Sequence, residues 1–223
     1  MSKSKKVDRK VVRSVRNDSF FPPTIKQKPL QNRVFRYITA EDVTNAPITR
    51  KCLLSLILAG TVPAAPPYYM STILSAVRLD RICIWSIPQA PELFSNIALE
   101  WQDTRGCATL LNDQGSPTRP AHISSRPPMN STSGMWSGLS PTYLNEPLFY
   151  ISVPAGTVID MHVTYVLSDG SQTNSECLRR EVAASLAGTT LVGYPALDSY
   201  SIGGGVGAKQ ILPSILTYVP VTV

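Results

Sequence analysis

Residues Pro147 to Gly170, PLFYISVPAGTVIDMHVTYVLSDG, constrain the fold more than any other stretch of the chain. From Ile159 the odd positions Ile159, Met161, Val163, Tyr165 and Leu167 are apolar, while the even positions Asp160, His162, Thr164, Val166 and Ser168 are polar except for Val166, a nearly strict alternation. A period of two turns one set toward a core and the other toward solvent. The preceding run carries Phe149, Ile151 and Val153 on one face, and both runs are rich in β-branched and aromatic residues, which suit a pleated, half-buried surface. Pro154-Ala155-Gly156 between them offers a short connection with a glycine available for positive φ, so an antiparallel hairpin is expected. A lone hairpin is marginal in water, and further strands must cover its apolar face.

Those strands are visible along the chain. Arg33 to Ala40 reads as the first, Ile73 to Ile87 as a long one whose phase slips near Arg81, and Asn96 to Asp103 as a cleanly alternating third. A weaker strand falls near Ala121 to Arg126, and late ones at Thr189 to Tyr194 and Ile215 to Val223, the last confined to an edge by Pro213 and Pro220. Two connections read as helical. Ile48 to Gly60 places Leu53, Leu54, Ile57 and Leu58 on one face, with Thr49 to cap its start and Gly60 its end, and Thr173 to Gly188 opens on a capping box of Thr173 and Glu176. With 19 Pro and 13 Gly and only 16% charged residues, the chain has the turn-rich profile of an all-β protein. The expected fold is an eight-stranded antiparallel jelly roll or β-sandwich, with one or two short helices in its connections.

Charge divides the chain in two. Residues 1 to 36 hold Lys3, Lys5, Lys6, Arg9, Lys10, Arg13, Arg16, Lys26, Lys28, Arg33 and Arg36 against Asp8 and Asp18, a net +9, which leaves −3 on the remainder. Residues 1 to 32 lack aliphatic periodicity and contain Pro22, Pro23 and Pro29, so they read as a flexible basic arm ahead of a β domain spanning 33 to 223. Lys and Arg with so little acidic interleaving neutralise phosphates, and with Phe20 and Phe21 the only aromatics in residues 1 to 32, binding by these eleven residues is expected to be salt-sensitive and sequence-independent. The plain alternative for such an arm is a solubilising terminus.

Catalytic and metal chemistries find little support. Cys52, Cys83, Cys107 and Cys177 form no C-x-x-C and read as free thiols. Asp160 and His162 share a strand face, yet no G-x-S-x-G context accompanies them, so both read as polar positions on a half-buried strand. GGGVGAK, Gly203 to Lys209, departs from a phosphate loop at Ala208 and Gln210, and reads as a surface loop. No catalytic residue, cofactor or metal is therefore assigned. The longest apolar run, Cys52 to Ala59, is too short to cross a bilayer, and no secretory leader or membrane partner is expected.

A basic arm followed by a single eight-stranded β domain resembles the coat proteins of small icosahedral viruses. VRLDRICIWSI at Val77 to Ile87, LEWQ at Leu99 to Gln102, AHISSRPP at Ala121 to Pro128, GMWS at Gly134 to Ser137 and GTVIDMHVTYVLSDG are similar to the jelly-roll coat domain of tombusvirus-like RNA viruses, cruciviruses and some circular single-stranded DNA viruses. ITRKCLLSLILAG resembles that group's helix-forming segment, and the likeness covers about residues 30 to 200, with no room for a protruding domain. The resemblance implies a self-assembling structural protein, not an enzyme. Its partners would be identical subunits, sixty or more to a shell, and a single-stranded viral genome packaged on inward-pointing arms. It would reside in the virion, and in host cytoplasm and nucleus during assembly. KSKK, Lys3 to Lys6, has the composition of a nuclear import signal and leans the genome toward DNA. Two other readings stay open: a cellular β-sandwich that binds nucleic acid or acts as an adaptor, and an enzyme on a cupin-like scaffold, disfavoured because His122 and His162 are too few and too distant for its metal cluster.

Overall fold

The alternation after Ile159 is realised as a strand, Val158–Leu167, with Ile159, Met161 and Val163 at no more than 1% exposure. A computed structural model describes residues 30–87, 94–103, 108–129, 131–168, 178–182, 184–198, 210–214 and 218–220. In chain order the strands are β1 (Leu30–Thr39), β2 (Val43–Thr49), β3 (Leu58–Thr61), β4 (Tyr69–Thr72), β5 (Leu74–Trp85), β6 (Ser95–Trp101), β7 (Thr109–Gly115) and β8 (His122–Ser125). They continue as β9 (Ser137–Gly138), β10 (Pro147–Val153), β11 (Val158–Leu167), β12 (Arg179–Glu181), β13 (Thr190–Gly193), β14 (Ile211–Pro213) and β15 (Tyr218–Pro220), with helix α1 (Arg50–Leu54) after β2.

Eight of these form two four-stranded layers, β1-β11-β5-β8 and β2-β10-β6-β7. Taken in chain order, the first of the eight pairs antiparallel with the last, the second with the seventh, the third with the sixth and the fourth with the fifth. That is one long hairpin rolled on itself, a jelly roll. β14 extends the first sheet beyond β1, and β9 adds a short pairing to β5. A third sheet, β12-β4-β3-β13-β15, is built from segments inserted after α1 and after β11, and it has its own small core of Leu58, Val62, Met70 and Leu191. The main core lies between the two layers. Phe35, Tyr37, Ile82, Ile84, Ile159, Met161 and Val163 meet Ile48, Ile97, Leu99, Trp101, Phe149 and Ile151, and Trp101 packs edge-on to Phe149 at 5.3 Å.

The expected hairpin is corrected. β10 and β11 occupy the spans the alternation predicts, but they belong to opposite sheets, with β10 between β2 and β6 and β11 between β1 and β5. The Pro154–Thr157 connection crosses from one layer to the other, and it is fastened to the neighbouring β1–β2 crossing. Thr39 Oγ1 donates to the Pro154 carbonyl at 2.8 Å and accepts the Thr157 N–H at 2.9 Å, while Asp42 accepts the Ala155 N–H at 2.8 Å. Gly156 takes φ +78, and its N–H reaches the Thr39 carbonyl. Thr39→Val should remove two hydrogen bonds of this corner, leaving the Pro154 carbonyl and the Thr157 N–H only their 3.3 Å bond to each other, and lower stability by about 1–3 kcal/mol, measured by urea unfolding.

The helix expected over Ile48 to Gly60 is corrected to the five residues of α1. Thr49 caps its start as expected, accepting the Cys52 N–H, but Ile48 and Thr49 finish β2, and Leu58 to Thr61 pair with β13 as β3. Apolar residues there are buried on all sides, so the sequence shows no periodicity to separate helix from strand. The second expected helix is also corrected: Thr173 to Cys177 lie outside the described residues, and Arg179–Glu181 is a strand paired with β4. The phase slip in β5 is a bulge. His162 pairs with Arg81 and Val163 with Leu79, leaving Asp80 as the extra residue, so Leu79 and Ile82 can both face the core. Strand β7, unforeseen, ends at Gly115, where an added Cβ would stand 2.5 Å from Ser95 Oγ and 2.6 Å from the Ala121 backbone nitrogen. Gly115→Ala therefore pushes β7 off its neighbours, and a loss of about 1–3 kcal/mol is expected in thermal unfolding.

Candidate nucleic-acid interface

Of the eleven basic residues singled out in the sequence, Lys3, Lys5, Lys6, Arg9, Lys10, Arg13, Arg16, Lys26 and Lys28 lie outside the described residues, as does Gly203 to Lys209. Arg33 and Arg36 stand on β1, where the body begins at Leu30. Arg36 has odd–even parity with the solvent face, and its Nε and Nη2 each donate at 2.7 Å to the two carboxylate oxygens of Asp160 on β11. This is a bidentate ion pair. Asp160 is buried, and its hydrogen bond and charge hold the Arg36 guanidinium above its ordinary pKa. Asp160 and His162 do share a face, and the Asp160 carboxylate is engaged by Arg36. Arg33 lies at the open end of the same strand, its guanidinium 5.1 Å from the Phe35 ring and 5.3 Å from that of Tyr194.

On the other face of β1 the fold brings together residues that are far apart in sequence. Asn32, Arg33 and Val34 from β1, His162 from β11, Asp80 and Arg81 from β5, and Arg126 just past β8 line an open trough of about 600 Å³ on the solvent face of the first sheet. Its one carboxylate, Asp80, is held by Arg78 at 3.0 Å and by the Thr164 hydroxyl at 2.5 Å. Among the described residues, Arg33, Arg81 and Arg126 have no carboxylate within ion-pair distance. At the far end of the same face Trp85 and His122, directly paired across β5 and β8, stack with ring centroids 5.2 Å apart and planes 17° from parallel. The His122 backbone N–H donates to Asp113 at 2.7 Å, which holds that carboxyl below its usual pKa. Arg81, Arg126 and Trp85 carry no joint sequence signal, because Arg126 and His122 lie far along the chain from β5 and only the pairing of β5 with β8 assembles them.

No protein-family model matches the chain, and no curated protein matches it by sequence. Among solved structures, it is similar to a virus-like particle of the giant freshwater prawn Macrobrachium rosenbergii extra small virus at 17% identity, covering 75% of this chain and 97% of that one with a TM-score of 0.40. It is also similar to Desmodium yellow mottle tymovirus (13% identity, 72% and 99% coverage, TM-score 0.36) and to a mud crab tombus-like virus (9%, 78% and 97%, TM-score 0.32). The class of the fold, an all-β antiparallel jelly roll, follows from the chain's own strand order.

Proposed function

We propose that this chain is a structural, non-enzymatic coat protein whose identical copies close into a small icosahedral shell of sixty or more subunits around a single-stranded viral genome. The observation that carries the reading is the division of charge across one jelly roll: +9 in residues 1 to 36 and −3 in the rest. A mildly acidic body stays soluble and separate from polyanions, while the arm attracts them. Sixty arms of +9 would bring about 540 positive charges, enough for a few hundred phosphates, so the arms neutralise part of a genome. Lys3, Lys5, Lys6, Arg9, Lys10, Arg13, Arg16, Lys26, Lys28, Arg33 and Arg36 are the residues assigned to that contact. The two described members are committed differently, since Arg36 is paired with Asp160 while Arg33 stacks over the rings of Phe35 and Tyr194. The particle in which the protein resides is the virion, and the basic run at Lys3 to Lys6 leans the genome toward DNA.

The test is co-purification. Full-length protein treated with nuclease before purification should retain protected nucleic acid, read as a raised ratio of absorbance at 260 to 280 nm, and extraction followed by DNase or RNase digestion identifies it. Protein free of nucleic acid at low salt would overturn the packaging reading and favour an adaptor.

A further inference from the structure

We infer that the trough on the solvent face of the first sheet is a phosphate-binding path for single-stranded nucleic acid, continuing the contact made by the basic arm onto the folded body. It rests on the packaging reading above. The first ground is local charge. Arg81 and Arg126 converge on one open cavity, and the two acids on this face, Asp80 and Asp160, are already held by Arg78 and Arg36. Two cations are left for an external anion on a body, residues 37 to 223, whose overall balance is −3. Two guanidinium groups presented side by side, from β5 and from the end of β8, suit successive phosphates of a chain, each fork taking one phosphate.

The second ground is position. Asn32, Arg33 and Val34 form one wall of the trough and lie near the start of β1, the strand into which the basic arm runs. Nucleic acid held by the arm is therefore delivered at the rim. The third ground is the aromatic pair. Past the bulge, Arg81, Cys83 and Trp85 share a face, so Trp85 follows Arg81 by four residues, or about 13 Å along β5. The row between them carries Cys83 and Ser124, small neutral side chains 3.4 Å apart. A base laid against Trp85 and His122 would add a third ring to their stack, and stacking accepts any base. Only an unpaired strand offers its bases this way, so the path selects single strands over duplex.

Fluorescence anisotropy of a labelled oligothymidylate, titrated with full-length protein across a salt series, tests this. The double variant Arg81→Ala/Arg126→Ala should bind with a salt slope shallower by about 1.4, two phosphate contacts at about 0.7 each, while its melting temperature is retained because both side chains face solvent. Arg81→Lys/Arg126→Lys should restore the slope. Trp85→Leu should weaken binding about tenfold with the slope unchanged. An unchanged slope in the alanine pair, with the wild type binding normally, would overturn the trough and leave packaging by the arm standing. Unchanged affinity in Trp85→Leu would overturn the base platform, and a wild type that does not bind at all would overturn both readings.

Discussion

Val163→Asp should abolish the cooperative folding of the body. Val163 is 1% exposed and pairs with Arg33 on one side and Leu79 on the other, its side chain turned into the core between the layers. A carboxylate there has no partner, and burying an uncompensated charge costs at least several kcal/mol even after protonation and local rearrangement. Whole domains are stable by only about 5–15 kcal/mol. The melting temperature should fall by at least about 15 °C, at roughly 2–4 °C per kcal/mol for a chain of this size, or no transition should remain in circular dichroism. His162→Asp, one residue away on the solvent face beside Arg81, should stay within about 3 °C of wild type, as surface substitutions usually do. One step along a strand thus separates loss of the fold from near-neutrality, because a period of two leaves no intermediate face. Equal melting temperatures for the two variants would refute this register.

Deleting residues 2 to 29 should remove nucleic-acid content while leaving the jelly roll folded. The deletion takes nine of the eleven basic residues and stops short of Leu30, where β1 starts pairing with β11. Single-strand binding loses about 0.7 units of salt slope per phosphate contact removed, so nine lost contacts flatten the slope by about 6. In practice the protein should purify without nuclease-protected nucleic acid and melt at the wild-type temperature. Wild-type nucleic-acid content in the deletion protein would show that the arm is not the packaging element.

The strands that bury one face were legible because burial writes a period into the sequence. Ile159, Met161 and Val163 in β11, Ile97, Leu99 and Trp101 in β6, and even the bulge at Asp80 in β5 all follow from which residues must avoid water. Strand β7 left no such mark. TLLNDQG sits at the edge of the second sheet with Thr109, Leu110, Asn112 and Gln114 exposed, so its polar and turn-forming residues read as a loop. The pairing of β10 was illegible for a different reason. Pro154-Ala155-Gly156 suits a hairpin and a layer crossing equally well, and Thr39 and Asp42, more than a hundred residues earlier, decide between them. Between Ile48 and Thr61 the chain passes from strand to helix to strand while Leu53, Leu54, Leu56, Ile57 and Leu58 stay buried, which erases the periodicity that would mark the changes. As for the candidate interface, the concentration of charge in residues 1 to 36 was plain, whereas the meeting of Arg81, Arg126 and His162 depends on long-range strand pairing.

Electron microscopy of the purified full-length protein tests the central claim most directly. A coat protein predicts uniform closed particles of one diameter, formed from this single chain. A monodisperse monomer or small oligomer across a range of salt and pH would contradict it, and would leave the jelly roll as the scaffold of a binding protein that forms no shell.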